Sequence, residues 1–165
     1  MRIFSYMNRF IVSFSFIFIS FSLIAEPTLE EVVVSARKVD ESVQDVPIAM
    51  SVFTASDIND AGIERPEDFI ALTPNVVMAN TVNVGDTLVT IRGLTSTRDA
   101  ESNFAFVVDG VLQTNPNAFN RELLDIAQIE VLKGPQGALY GRNATSGAIL
   151  ITTKAPSDEP ESSAV

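Results

Sequence analysis

Residues 122–156, ELLDIAQIEVLKGPQGALYGRNATSGAILITTKAP, limit what this chain can fold into more than any other stretch. Asn120 followed by Arg121-Glu122-Leu123-Leu124 predicts a short capped helical turn. Ile126, Ile129, Val131 and Leu132 predict a buried strand, because β-branched side chains suit a pleated surface. Gly134-Pro135 ends it. Gly137, Gly141 and Gly147 then lie close together, which permits left-handed backbone angles and close backbone approach, so a shaped loop is expected. Ala148 to Thr153 predicts a second strand, closed by Pro156 because proline donates nothing to a ladder. A phosphate-binding loop needs GxxxxGK[ST] or GxGxxG running into a helix. Neither spacing occurs, and these glycines run into a strand. By residue type alone, the stretch is a glycine-rich turn between two strands.

The chain has 165 residues, enough for one modest domain with its own core. It contains no cysteine, which removes disulfides, thiolate metal sites and a lipid-carrying residue together. It contains no histidine, so the usual general base and the usual metal ligand are both missing. A serine triad has no base here. GxSxG is also absent, since Ser146 has Ala144 where that motif needs glycine. Residue type permits a two-carboxylate glycosidase, yet no acid lies in a context that points to desolvation. The net charge of −10 argues against a nucleic-acid partner. No catalytic residue, metal ligand or cofactor is assigned.

Residues 1–25 read as an export signal: Arg2 and Arg9, then the apolar run Phe10 to Ala25, then a plausible cleavage edge before Glu26-Pro27. The run is shorter than the ~20 apolar residues that span a bilayer. Its removal takes away two cations and no acid, so the remainder carries −12 rather than −10. An acidic, exported, cysteine-free protein fits a bacterial envelope.

Next comes Glu30-Glu31-Val32-Val33-Val34-Ser35-Ala36. Three adjacent valines favour an extended conformation, either as the first strand of the domain or as a free strand. Arg37 to Asp45 is charged and polar and reads as a linker. An extended segment ahead of a linker is able to add itself to another protein's sheet edge.

Ile48 to Phe53 predicts a strand. Thr54 is a candidate N-cap with Asp57 in capping-box position; Ile58 and Ala61 form the inner face of the helix and Gly62 stops it. Pro66 suits the start of a second helix, with Glu67 and Asp68 at its positive end, Phe69, Ile70 and Leu72 buried, and Pro74 beyond it. Acids on these helices read as solvated surface. Residues 75–86 read as strand then loop, and Leu88 to Ile91 as a strand ending at Arg92-Gly93. Phe104 to Val108, Asp109-Gly110 and Val111 to Gln113 predict a type I′ hairpin, with Asp109 a turn residue. The polar stretches Leu94 to Asn103 and Gln113 to Asn120 are loops, and Phe119 in the second favours contact with something.

IEVLKGPQGALYGRNATSGAI followed by TTKAP resembles the end of the plug domain of TonB-dependent outer-membrane receptors, with Lys133 for the frequent arginine, Ser146 for a glycine and Leu150 for an asparagine. Ile91-Arg92-Gly93 resembles a plug signature, Gln44 to Pro47 the plug entry, and Glu30 to Ala36 the TonB box. The resemblance implies an α+β domain with a mixed sheet of four to five strands and short helices. Its boundaries are residues 44–156, preceded by the signal (1–25) and by a flexible TonB box and linker (26–43). Residues 157–165 read as the approach to a barrel.

Such a plug blocks an outer-membrane barrel of about 22 strands. TonB, through its periplasmic C-terminal domain, pulls on the box. The plug then shifts and admits a small molecule such as a ferric siderophore, cobalamin or a carbohydrate. Nothing is chemically converted. In that family basic plug residues pair with barrel glutamates, a role that the resemblance implies for Arg92 and Lys133, and Arg98, Asn103, Asn115, Asn117 and Phe119 are candidates to face substrate. The plug of an outer-membrane importer, facing the periplasm and present as a fragment without its barrel, is one reading. A free periplasmic module that captures TonB or ligand without transport is the other.

Overall fold

The computed structural model describes residues 31–80, 87–96 and 101–156. The signal segment, Glu30, Arg98 and the barrel approach at 157–165 lie outside the described residues.

The central element is a five-stranded mixed sheet in the order β3-β9-β10-β7-β8. Its strands are β3 (Met50–Thr54), β7 (Phe104–Val108), β8 (Val111–Leu112), β9 (Ile126–Lys133) and β10 (Gly147–Thr153). β10 runs parallel to β7 and antiparallel to β9. Alternation along each strand sends side chains to opposite faces. Phe104, Phe106, Ile129, Val131, Ile149 and Ile151 fall on one face; Ala105, Val107, Leu132, Ala148 and Leu150 fall on the other. Both faces are covered, which is why these strands read as continuous apolar runs rather than alternating ones.

The first face is covered by helices α1 (Ala55–Ala61) and α2 (Pro66–Ala71), by a three-stranded sheet and by a 3₁₀ turn at Pro116–Phe119. The three-stranded sheet has the order β4 (Val76–Asn80), β5 (Thr87–Ile91), β6 (Leu94–Thr95). α1 has the expected capping box between Thr54 and Asp57, and Gly62 closes it with φ 63°. α2 starts at Pro66 as expected. Ala61 and Leu72, however, are exposed: α1 is short and turns only Ile58 inward, and Leu72 is already past the last turn of α2.

Three further expectations give way. Arg121 to Leu124 is not helical, because the Leu123 N–H bonds to the Glu64 carbonyl and draws the chain across the start of α2. The glycine loop carries a short helix, α3 (Gly137–Tyr140). The leading segment is not loose. β1 (Val33–Val34) pairs antiparallel with β2 (Glu41–Ser42), inside the stretch read as a linker. Val34, Ala36 and Val46 pack with α3 residues against the second face of the main sheet.

Candidate functional site

The leading segment lies on the second face through two buried side chains, Val34 and Ala36, and several hydrogen bonds to its backbone. Val34 is 1% exposed, whereas Val33 is 50% exposed. The segment's two backbone edges are occupied differently. On one edge the Val32 carbonyl accepts from the Val43 N–H of the β2 side at 3.0 Å. On the other, the Val33 carbonyl accepts from Gln128 Nε2 at 3.0 Å, and the Ser35 N–H donates to Glu130 Oε1 at 3.0 Å. One residue on, the Tyr140 hydroxyl donates to the Ala36 carbonyl at 2.9 Å. Gln128 and Glu130 stand two apart on β9 and so share a face.

Glu130 is the exception to the sequence expectation that no acid is desolvated. It is 2% exposed, and its Oε2 has no hydrogen-bond partner among the described residues. Burial pushes its carboxyl above the usual glutamate range; bonds from Ser35 and Gln128 oppose this, and the charge of Asp40 adds to it. Tyr140 is pushed up to about 12 by burial first and by the Glu130 charge second. Lys38 Nζ lies 5.6 Å above the Tyr140 ring centroid.

A second cluster joins Arg92 and Lys133. Arg92 is exposed and sits at the tip of the β5–β6 turn with φ 52°. Lys133 is 8% exposed and donates to Ser51 Oγ at 2.9 Å and to the Pro74 carbonyl at 3.3 Å. Burial, then the neighbouring Arg92 charge, holds its ammonium below the usual lysine value. Neither cation has a carboxylate within ion-pair distance among the described residues. No group of acids able to hold a metal occurs among the described residues.

A sequence model of the TonB-dependent Receptor Plug Domain matches residues 42–148. The chain belongs to the TonB-dependent receptor plug family. The pesticin receptor of Yersinia enterocolitica is 31% identical over 136 residues, covering 82% of this chain and 20% of that protein. The ferrichrome outer membrane transporter/phage receptor of Escherichia coli K12 is 27% identical, covering 76% of this chain and 17% of that protein. Among solved structures, the ferric yersiniabactin uptake receptor FyuA from Yersinia pestis superposes with a TM-score of 0.61 at 31% identity. That match covers 66% of this chain and 17% of the receptor. The chain thus spans about a fifth of the length of the curated relatives it matches.

On this plug the loop candidates divide. Phe119 is 4% exposed and sits edge-on to Phe69, Phe104 and Phe106, so it is a core residue and not a substrate contact. Its place in a polar stretch hid this, because the 3₁₀ turn swings it inward. The Asn103 amide is committed to Ser96 Oγ and the Leu94 carbonyl, while its own carbonyl accepts from Ser146. It fastens the start of β7 to the glycine loop. Asn115 caps the 3₁₀ turn through the Asn117 N–H, and Asn117 itself is exposed. Sequence reasoning missed Gln128, Glu130 and Tyr140. A glutamate inside an apolar strand was the available signal, because an acid there needs donors brought to it.

Proposed function

We infer that this plug gates an outer-membrane barrel and opens under traction on residues 30–36, delivered by the periplasmic C-terminal domain of TonB. One observation carries the reading: a short extended segment precedes the plug and is attached by a few hydrogen bonds to its backbone and by two small buried side chains, Val34 and Ala36, a joint that a pulled strand is able to release. Strand addition supplies the grip, since backbone hydrogen bonds give affinity and alternate side chains give register.

Arg92, exposed at its turn, pairs with a barrel carboxylate. Lys133, inside the fold, holds β9 to β3 and keeps positive potential behind Arg92. The cargo is a small molecule of the ferric-siderophore class, as the names of the yersiniabactin and ferrichrome receptors support. Asn117 and Arg98 remain the candidates to face it. No residue performs covalent chemistry. The plug lies in the outer membrane with its leading segment toward the periplasm.

A Val33→Pro variant tests the grip, because proline removes a ladder donor. Isothermal titration with the TonB C-terminal domain is expected to show binding to the parent and none to the variant. Undiminished binding overturns the assignment.

A further inference from the structure

We propose that Gln128 and Glu130 form a clasp that closes the strand edge of the leading segment turned away from β2, with Tyr140 holding the turn that follows at Ala36, so that the segment is hidden from a partner strand until the clasp lets go. This deepens the capture reading above and rests on it for the partner alone.

The geometry is specific to one edge. In an extended strand, successive residues present their backbone groups to opposite sides. Val32 faces β2, whose side supplies the Val43 N–H. Val33 and Ser35 face the other way, and there no strand of the described residues meets them. Their carbonyl and N–H are taken instead by the side chains of Gln128 and Glu130. A partner strand adding itself to β1 needs those same two groups. Clasp and partner therefore compete atom for atom.

The clasp reads backbone, not sequence. Gln128 donates to a carbonyl, Glu130 accepts from an N–H, and Tyr140 donates to a carbonyl. Val34 and the small Ala36 are the only fully buried side chains among described residues 31–36. Gln128 also donates to Glu130 Oε1 at 3.2 Å, so the two side chains hold each other in place when the segment leaves. The clasp also has a built-in weakness. The second oxygen of Glu130 is buried without a described partner, which makes the closed form less stable than a fully satisfied one.

The absence of cysteine gives a clean test. Val34→Cys in the full chain places a unique thiol under the clasp, and Val131→Cys places one on the opposite, 0%-exposed side of β9. Maleimide labelling of Val34→Cys is expected to rise at least tenfold in Glu130→Ala and severalfold in Tyr140→Phe, with Val131→Cys slow throughout. Glu130→Gln keeps the accepting oxygen and is expected to restore protection. Should Glu130→Ala open both thiols together, Gln128→Ala combined with Tyr140→Phe decides, because both leave the buried carboxyl in place. Selective acceleration of Val34→Cys supports the clasp, and its absence overturns it. In the opened variants the TonB domain is expected to bind more tightly. If the thiol opens but the domain still does not bind, the clasp stands and the capture reading falls.

Discussion

Glu130 brings a carboxyl into a sheet face built mainly of apolar side chains, and its ionisation is linked to folding. Folded, it keeps its proton to higher pH than the ordinary value of 4.5, because burial outweighs its two donors. Unfolded, it titrates near that ordinary value. Between the two values the folded state therefore binds more protons, so stability falls as pH rises through that window and levels off above it. Glu130→Gln removes this contribution. Urea midpoints measured from about pH 4 to about pH 8 are expected to change less in the variant than in the parent; an equal slope counts against the assignment. Gly147 poses the opposite problem, one of space. A methyl group there meets the Leu132 carbonyl oxygen across the β9–β10 ladder, and neither backbone is free to move. Gly147→Ala is expected to cost about 1–3 kcal/mol of unfolding free energy. The sequence identifies Gly147 as a close-approach glycine but not its neighbour, since the contact depends on long-range register.

At the scale of elements, what is local was legible and what is long-range was not. The α1 capping box needs only Thr54 and Asp57, three residues apart, and it forms as read. Thr54→Ala is expected to lower stability by about 1 kcal/mol, seen as a shifted urea midpoint with unchanged slope. The Asp109-Gly110 hairpin was equally legible, with φ of 47° and 78° suiting a type I′ turn. Arg92-Gly93 makes a similar positive-φ turn, yet it read only as a strand end, because arginine is not a usual first residue of such a turn and β6 is two residues long. Asp109 does more than turn the chain. Its carboxylate accepts from the Thr153 N–H and hydroxyl, fastening the end of β10, 44 residues away, to the β7–β8 hairpin. Nothing in the sequence around Asp109 announces that bond.

At the scale of the whole molecule, the main sheet needs a cover on each side, and the leading segment belongs to the second cover. Ala105 and Ala148 are small enough to let a backbone approach, and both are fully buried beneath residues 32–48 and α3. The apolar runs FAFVV and AILITT carry this information in the sequence, because strands without alternation are buried on both faces. The two helices legible in the sequence, α1 and α2, account for one face only. What covers the other was not legible, since valines on a short polar-flanked stretch read equally well as a free strand. The family match begins at residue 42, whereas the packed unit begins at 31. A chain beginning at residue 44 is therefore expected to be less stable than one beginning at 31. The loss of buried Val34 alone accounts for about 1.5–3 kcal/mol. The uncovered face is also expected to bind an apolar dye that the longer chain ignores. Equal urea midpoints and equal dye fluorescence would mean that the segment rests on the sheet without supporting it. A lower midpoint with dye binding means that any pull which frees the segment for a partner also loosens the plug, coupling capture to opening through one shared surface.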